Sequence, residues 1–187
     1  GADWLVLAGS LPAGVTDTFY VKIIDAVRER WGARAPRVAV DTSGPALRAV
    51  VENRAADLIK PNDEELAELA GAEFDVDSPR DSVRRIAGSI VPECAASALV
   101  TLGGAGAALV TADEAWFVEA PRIRVASTVG AGDSSLAGYL LAERAGLDSA
   151  ECLRSAVRHG SAAAALPGTR VPAPADLGPA VSAALPL

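Results

Sequence analysis

Short unbroken apolar runs alternate along this chain with stretches whose apolar residues recur at helical spacing. The first run is Trp4-Leu5-Val6-Leu7-Ala8, stopped by Gly9-Ser10-Leu11-Pro12. It predicts a strand buried on both faces, as in a sheet covered on two sides. Residues 17–30 predict a helix capped by Thr16, with Phe19, Ile23, Val27 and Trp31 on one stripe. A buried strand follows at 38–41 and a shorter one at 57–60. Between them, Pro45 suits the first position of a helix ending at Glu52. Asn62 can cap a helix over 63–70, Gly71 ends it, and another helix spans 79–91. A strand at 98–101 leads through a glycine turn at 103–106 to two hairpin strands, 107–111 and 115–119. Glycines open a long helix over 130–146, and a second long helix covers 149–166. Pro172 and Pro174 break the chain before a weak final helix.

Strands alternating with helices imply an α/β fold with a mostly parallel sheet covered on both faces. No linker or internal repeat divides residues 1–187, so one domain, or part of one, is expected. Half of the residues are hydrophobic and 22% are charged, an ordinary globular composition. A net charge of −7 argues against a nucleic-acid or membrane surface as partner, because both attract a basic face. Phosphate ligands stay open, since backbone N–H groups and a few local cations can hold them. Two distant cysteines, Cys94 and Cys152, and a single His159 fall short of a structural zinc site. They make a disulfide framework unlikely as well, and a reducing cytoplasm becomes the expected location. No apolar run approaches the roughly 18 residues of a membrane span. The chain opens Gly1-Ala2-Asp3-Trp4, runs directly into a strand and contains no methionine, which reads as a piece of a longer protein.

Candidate chemistry gathers in three segments. In Gly130-Ala131-Gly132-Asp133 the glycines let the backbone turn tightly at the start of a helix. Unpaired N–H groups and the positive end of the helix dipole would form an anion hole there. Asp133, in the first turn, could accept the proton of an attacking hydroxyl, or could simply complement the dipole. Lys60-Pro61-Asn62-Asp63-Glu64-Glu65 lies at a strand end, where open α/β sheets bind ligands. Asn62 and Glu65 share a helix face and could hold a hydrated Mg²⁺, or could form a capping box. In Thr101-Leu102-Gly103-Gly104-Ala105-Gly106 the glycines would let backbone lie against a nucleotide, or make a hairpin turn. Spacing argues against reading Gly104-x-Gly106 with Glu119 as a dinucleotide site. Only about eight residues separate the turn from the next strand, too few for the helix of a βαβ unit. Asp41, beside Thr42 and Ser43, could support a metal or start a turn, and Ser10 could touch substrate or cap its loop.

Taken in order, these segments resemble the C-terminal half of the ribokinase-like (PfkB) family of carbohydrate kinases. The resemblance covers nearly the whole chain. It runs through Gly9-Ser10-Leu11-Pro12, Asp41-Thr42-Ser43, Lys60-Pro61-Asn62-x-x-Glu65, Thr101-x-Gly103-x-x-Gly106 and Ser127-Thr128-Val129-Gly130-Ala131-Gly132-Asp133. The first and last of these, with Gly168-Thr169-Arg170, are most similar to the phosphosugar kinases of that family.

The resemblance implies a three-layer α/β/α fold and ATP-dependent phosphorylation of a phosphosugar. Fructose 1-phosphate going to fructose 1,6-bisphosphate is the first expectation, with tagatose 6-phosphate and fructose 6-phosphate as alternatives. It implies Asp133 as base and Gly130, Ala131 and Gly132 as anion hole. Lys60, Asn62, Thr101, Gly103, Gly106 and Ser161 would line the ATP site, and Ser10 would meet the phosphosugar. Asn62 and Glu65, with Asp41 behind them, would serve Mg²⁺ through water. Ser127, Val129, Ala163, Gly168 and Arg170 fall where relatives bind a monovalent cation such as K⁺, while Leu166 replaces a polar residue there. The family's N-terminal half, with a substrate aspartate, a Gly-Gly motif and a β-sheet lid that makes homodimer contacts, has no counterpart in this chain. A relative that binds nucleotide or sugar without turnover is therefore the competing reading.

Overall fold

The computed structural model describes residues 1–178 and 181–187. Two compact units emerge: residues 1–100 with 110–113, and residues 101–109 with 114–187. The strands are β1 (Trp4–Ala8), β2 (Arg37–Asp41), β3 (Leu58–Ile59), β4 (Ser97–Thr101), β5 (Ala107–Thr111), β6 (Ala115–Val118) and β7 (Leu185–Pro186). They make a mixed sheet in chain order, β1 to β7. Pairing is parallel from β1 to β4, with Val6 opposite Ala39, Val40 opposite Ile59 and Leu58 opposite Ser97. β6 and β7 pair antiparallel, Phe117 against Leu185.

In the first unit α1 (Phe19–Trp31), α2 (Gly44–Glu52), α3 (Asp63–Ala70) and α4 (Pro79–Ala87) join these strands. Ile24, Leu47, Val50, Leu66 and Ile86 from the helices are buried with Val38, Val40, Leu58, Ile59 and Leu99 from the strands. Each such side chain contributes about 1.5–3 kcal/mol of burial. The second unit is built on α5 (Ala131–Arg144) and α6 (Ser149–Ala164). Its C-terminal segment is fastened to α6 by guanidinium groups. Arg154 donates to the carbonyls of Val181 and Ser182, and Arg158 to those of Leu177 and Gly178. Arg48 and Arg85 likewise donate to the carbonyls of Glu68 and Glu73.

The expected α/β order holds, with local differences. Helix α1 starts at Phe19 and not at 17; Thr18 precedes it, and neither Thr18 nor Thr16 makes a side-chain cap. Its buried residues are Tyr20, Val21 and Ile24, whereas Phe19 and Trp31 stay exposed. The stripe turns because the Tyr20 hydroxyl reaches the carbonyls of Gly9, at 2.8 Å, and Ala8. Within this chain β1 lies at one end of the strand order, with Val6 43% exposed. Helix α4 ends at Ala87, ahead of Gly88 and a run of turns. Helix α6 ends at Ala164, short of Leu166. Past Pro172 the chain makes only a short 3₁₀ turn at Pro174–Asp176 and then β7, a strand with no warning in the apolar pattern. Residues 179 and 180, within the stretch where a weak final helix was expected, lie outside the described residues.

Gly106 shows why one turn glycine is obligatory. Its φ is +124°, and a Cβ there would overlap the Val118 carbonyl oxygen and stand 2.9 Å from the Ala120 nitrogen. Gly104, two residues earlier, has open space around it and no positive φ. Gly106→Ala is expected to lower stability by about 3 kcal/mol or more, adding backbone strain to overlap. Gly104→Ala should cost under about 1 kcal/mol. Equal urea midpoints for the two variants would contradict the account.

Candidate active site

The carboxyl ends of β1, β2 and β3 carry the first group of chemical side chains. Past β1, Gly9 takes a φ of +97° and its N–H continues the ladder to the Asp41 carbonyl at 2.9 Å. The Gly9 carbonyl is held from two sides, by the Thr42 hydroxyl at 2.9 Å and the Tyr20 hydroxyl at 2.8 Å. Ser10 follows, exposed. At the next strand ends Lys60 Nζ lies 3.1 Å from Asp41 Oδ1, with only 7% of the lysine side chain and 16% of the aspartate accessible. The parallel ladder brings them together, since the Lys60 N–H bonds the Val40 carbonyl, one residue before Asp41. A buried ammonium is retained only with a partner, because stripping its water costs several kcal/mol.

Asn62 and Glu65 make the full reciprocal cap of α3. Asn62 Oδ1 accepts from the Glu65 N–H at 2.8 Å, and Glu65 Oε2 accepts from the Asn62 N–H at 2.9 Å. The structural alternative weighed for this pair is thus realised. Glu65 Oε1 stands outside the box. Among the described residues, no group of three or more His, Cys, Asp or Glu side chains could hold a metal ion. With one oxygen of each engaged in the cap, an ion met by Asn62 and Glu65 would be reached through water and not held in a direct cage.

The second group belongs to the other unit. Gly130 is the N-cap of α5, with φ 78° and ψ 0°, the left-handed conformation that glycine adopts without strain. Ala131 and Gly132 open the helix and Asp133 stands exposed at its third position. The Ala131 N–H reaches back to the Thr128 carbonyl at 3.3 Å, a long bond that closes the turn. The strand-side approach is pinned too: the N–H groups of Ala126 and Ser127 both donate to the Ala164 carbonyl at the end of α6, at 2.8 and 3.2 Å. Ser127 Oγ accepts from the Val129 N–H at 3.2 Å. Ser127 and Ala163 are thereby brought to one end of α6. Ala163 is buried, and its carbonyl accepts from the Leu166 N–H. Gly168 and Arg170 lie exposed in the loop beyond, and Val129 is 59% exposed. Ser161 is half-buried on α6. Thr101 ends β4, and Gly103, with φ 52°, begins the 3₁₀ turn that Gly106 closes. Burial, with the charges of Glu143, Asp148 and Glu151, pushes the Cys152 thiol up to about 11, so it is no nucleophile.

Residues 1–176 match the model of the pfkB family carbohydrate kinases. The chain belongs to that family. It is 40% identical over 178 residues to the 1-phosphofructokinase of Rhodobacter capsulatus, covering 95% of this chain and 54% of that protein. It is 38% identical over 170 residues to the ATP-dependent 6-phosphofructokinase isozyme 2 of Escherichia coli strain K12, covering 89% and 52%. The crystal structure of Escherichia coli phosphofructokinase-2 in complex with potassium superposes with a TM-score of 0.83 and 35% identity, covering 93% of this chain and 54% of that one. The chain thus spans about half the length of the curated relatives it matches. Among the described residues no helix is long and apolar enough to cross a membrane.

Two supporting groups escaped the sequence. The Tyr20 hydroxyl and the buried Thr42 hydroxyl together hold the Gly9 turn, and only the three-dimensional nearness of β1, β2 and α1 reveals it. Removing the Asp41 carboxylate takes from the buried Lys60 ammonium its ion-pair partner. Asp41→Asn is expected to cost about 3 kcal/mol, the low end for a buried pair. Asp41→Asn with Lys60→Met should cost less than the sum of the single changes, a coupling that a double-mutant cycle in urea reads directly. Strict additivity would remove the pair from the account.

Proposed function

We propose that the full-length protein carrying this chain transfers the terminal phosphoryl group of ATP to a phosphosugar hydroxyl, with Asp133 as the base. The carrying observation is the left-handed Gly130 that opens α5 and sets Asp133, exposed, in the first turn of a carbohydrate-kinase chain. Asp133 takes the hydroxyl proton while the hydroxyl oxygen forms its bond to the phosphorus, and the bond to ADP breaks. Backbone N–H groups of Gly130 and Gly132, at the positive end of α5, would meet the charge on the transferred group, and that of Ala131 would join them on leaving the Thr128 carbonyl. Such transfer needs position and charge neutralisation more than strong basicity, so a carboxylate suffices.

The remaining groups take supporting roles in this reading. Lys60, buried beside Asp41, offers a positive charge to the nucleotide phosphates. Thr101, Gly103, Gly106 and Ser161 line the nucleotide site, and Ser10 meets the sugar phosphate. Glu65 and Asn62, fixed by their cap, would hold hydrated Mg²⁺ through water, with Asp41 behind them. When bound, the ion neutralises phosphate charge. Ser127, Val129, Ala163, Gly168 and Arg170 would surround a monovalent cation such as K⁺. Fructose 1-phosphate is the favoured substrate, supported by the similarity to 1-phosphofructokinase. Fructose 6-phosphate and tagatose 6-phosphate are its competitors.

An ADP-release assay of the full-length protein over a panel of phosphosugars tests the reading. Fructose 1-phosphate should give the highest kcat/KM. Asp133→Asn should lower kcat by about 10²–10⁴-fold, the usual span for a general base, with the KM for ATP little changed. Near-normal turnover in that variant would sink the assigned role. ATP binding without ADP release from any sugar on the panel would favour a non-catalytic binding module.

A further inference from the structure

Helices α5 and α6 meet at two points where glycine stands against the opposite helix. Gly138 of α5 faces Ser155 and His159 of α6. A Cβ at Gly138 would stand 2.5 Å from His159 Nδ1 and 2.7 Å from the Ser155 carbonyl oxygen. Gly160 of α6 faces the first turns of α5. A Cβ there would overlap Ser135 Oγ and lie 3.2 Å from the Ala131 carbonyl oxygen. Both glycines are buried within helices, and neither has a positive φ. A buried mid-helix glycine costs roughly 0.5–1 kcal/mol against alanine. What it provides here is closeness, since neither backbone conformation demands it.

The two contacts differ in what lies next to them. Ala131 is the first residue of α5 and Ser135 the fifth, so the Gly160 contact brackets Asp133. We infer that Gly160 is a positioning residue for Asp133: its missing side chain lets the first turn of α5 seat against α6 and fixes where the carboxylate stands. The inference rests on the reading of Asp133 as base. With alanine at 160, Ser135 Oγ must swing to another rotamer. The Ala131 carbonyl must then give by a few tenths of an ångström. Ala131 is two residues from the carboxylate, and in-line transfer is sensitive to shifts of that order.

The experiment is steady-state kinetics on the full-length enzyme with its best phosphosugar, beside thermal midpoints. Gly160→Ala should lower kcat about tenfold, with the KM for ATP within about twofold of wild type. Ser135→Ala, which removes the overlapped oxygen, should be near wild type alone. Combined with Gly160→Ala it should recover several-fold of the lost kcat. Gly138→Ala should lower the thermal midpoint more than Gly160→Ala but lower kcat less. Unchanged kcat in Gly160→Ala, no recovery in the double variant, or kcat losses that follow the thermal midpoints across both glycine variants would each overturn the inference. If Gly160→Ala does not fold, the double variant against Ser135→Ala reads the same contact, and equal kcat values overturn it. Asp133→Asn separates the two layers. Loss of turnover there with an indifferent Gly160 sinks only the positioning role, whereas retained turnover sinks the base itself.

Discussion

The contact between α5 and α6 sets the order of the second unit. Two helices can approach this closely only where one side presents no Cβ, and Gly138 and Gly160 supply that absence at two points. Between them the contact carries its own polar satisfaction. Ser155 donates to the Gly138 carbonyl at 2.7 Å, and His159 Nδ1 lies 2.8 Å from the Ser155 carbonyl. His159 is thus a wall of the joint. The same α6 anchors the segment that leads into α5, through the Ala164 carbonyl. One helix therefore holds both the approach to the glycine turn and the turn's first residues.

The first unit solves a different problem. Its parallel strands end together, so backbone and side chains of β1, β2 and β3 converge at one edge of the ladder. Convergence of polar groups in a half-dry place is costly unless each finds a partner. Here Gly9, Thr42, Tyr20, Asp41 and Lys60 satisfy one another, and the Asn62–Glu65 cap closes the neighbouring helix start. No buried side-chain nitrogen or oxygen among the described residues lacks a partner. These groups form one internally satisfied frame.

Much of this was legible in the amino-acid order. Apolar runs located the strands because a covered parallel sheet leaves little room for polar residues, and Asn62 with Glu65 announced the cap. The glycine-opened α5 was visible for the same reason: few residues other than glycine adopt φ 78° at a helix start. The failures have physical causes as well. The α1 stripe was set by Phe19 and Trp31, but a tyrosine whose hydroxyl can reach two carbonyls fixed the helix rotation instead. β7, two residues long and held by pairing with Trp116 and Phe117, has no periodicity to betray it. Gly106 also meets a demand that the amino-acid order did not show, because its backbone neighbours on the β6 side leave no room for a Cβ. Gly160 and Ser135 carried no signal at all, since a helix–helix contact is invisible until both helices are placed.

The guanidinium ties described for the loops and the C-terminal segment have one more consequence. Fifteen of the seventeen basic side chains are arginine. Four of them, Arg48, Arg85, Arg154 and Arg158, spend their donors on main-chain carbonyls. A guanidinium keeps its proton in any medium where a protein folds, and an amide carbonyl has none to gain. Each of these main-chain ties thus joins two groups that neither lose nor gain a proton, although Arg154 also meets the Glu151 carboxylate.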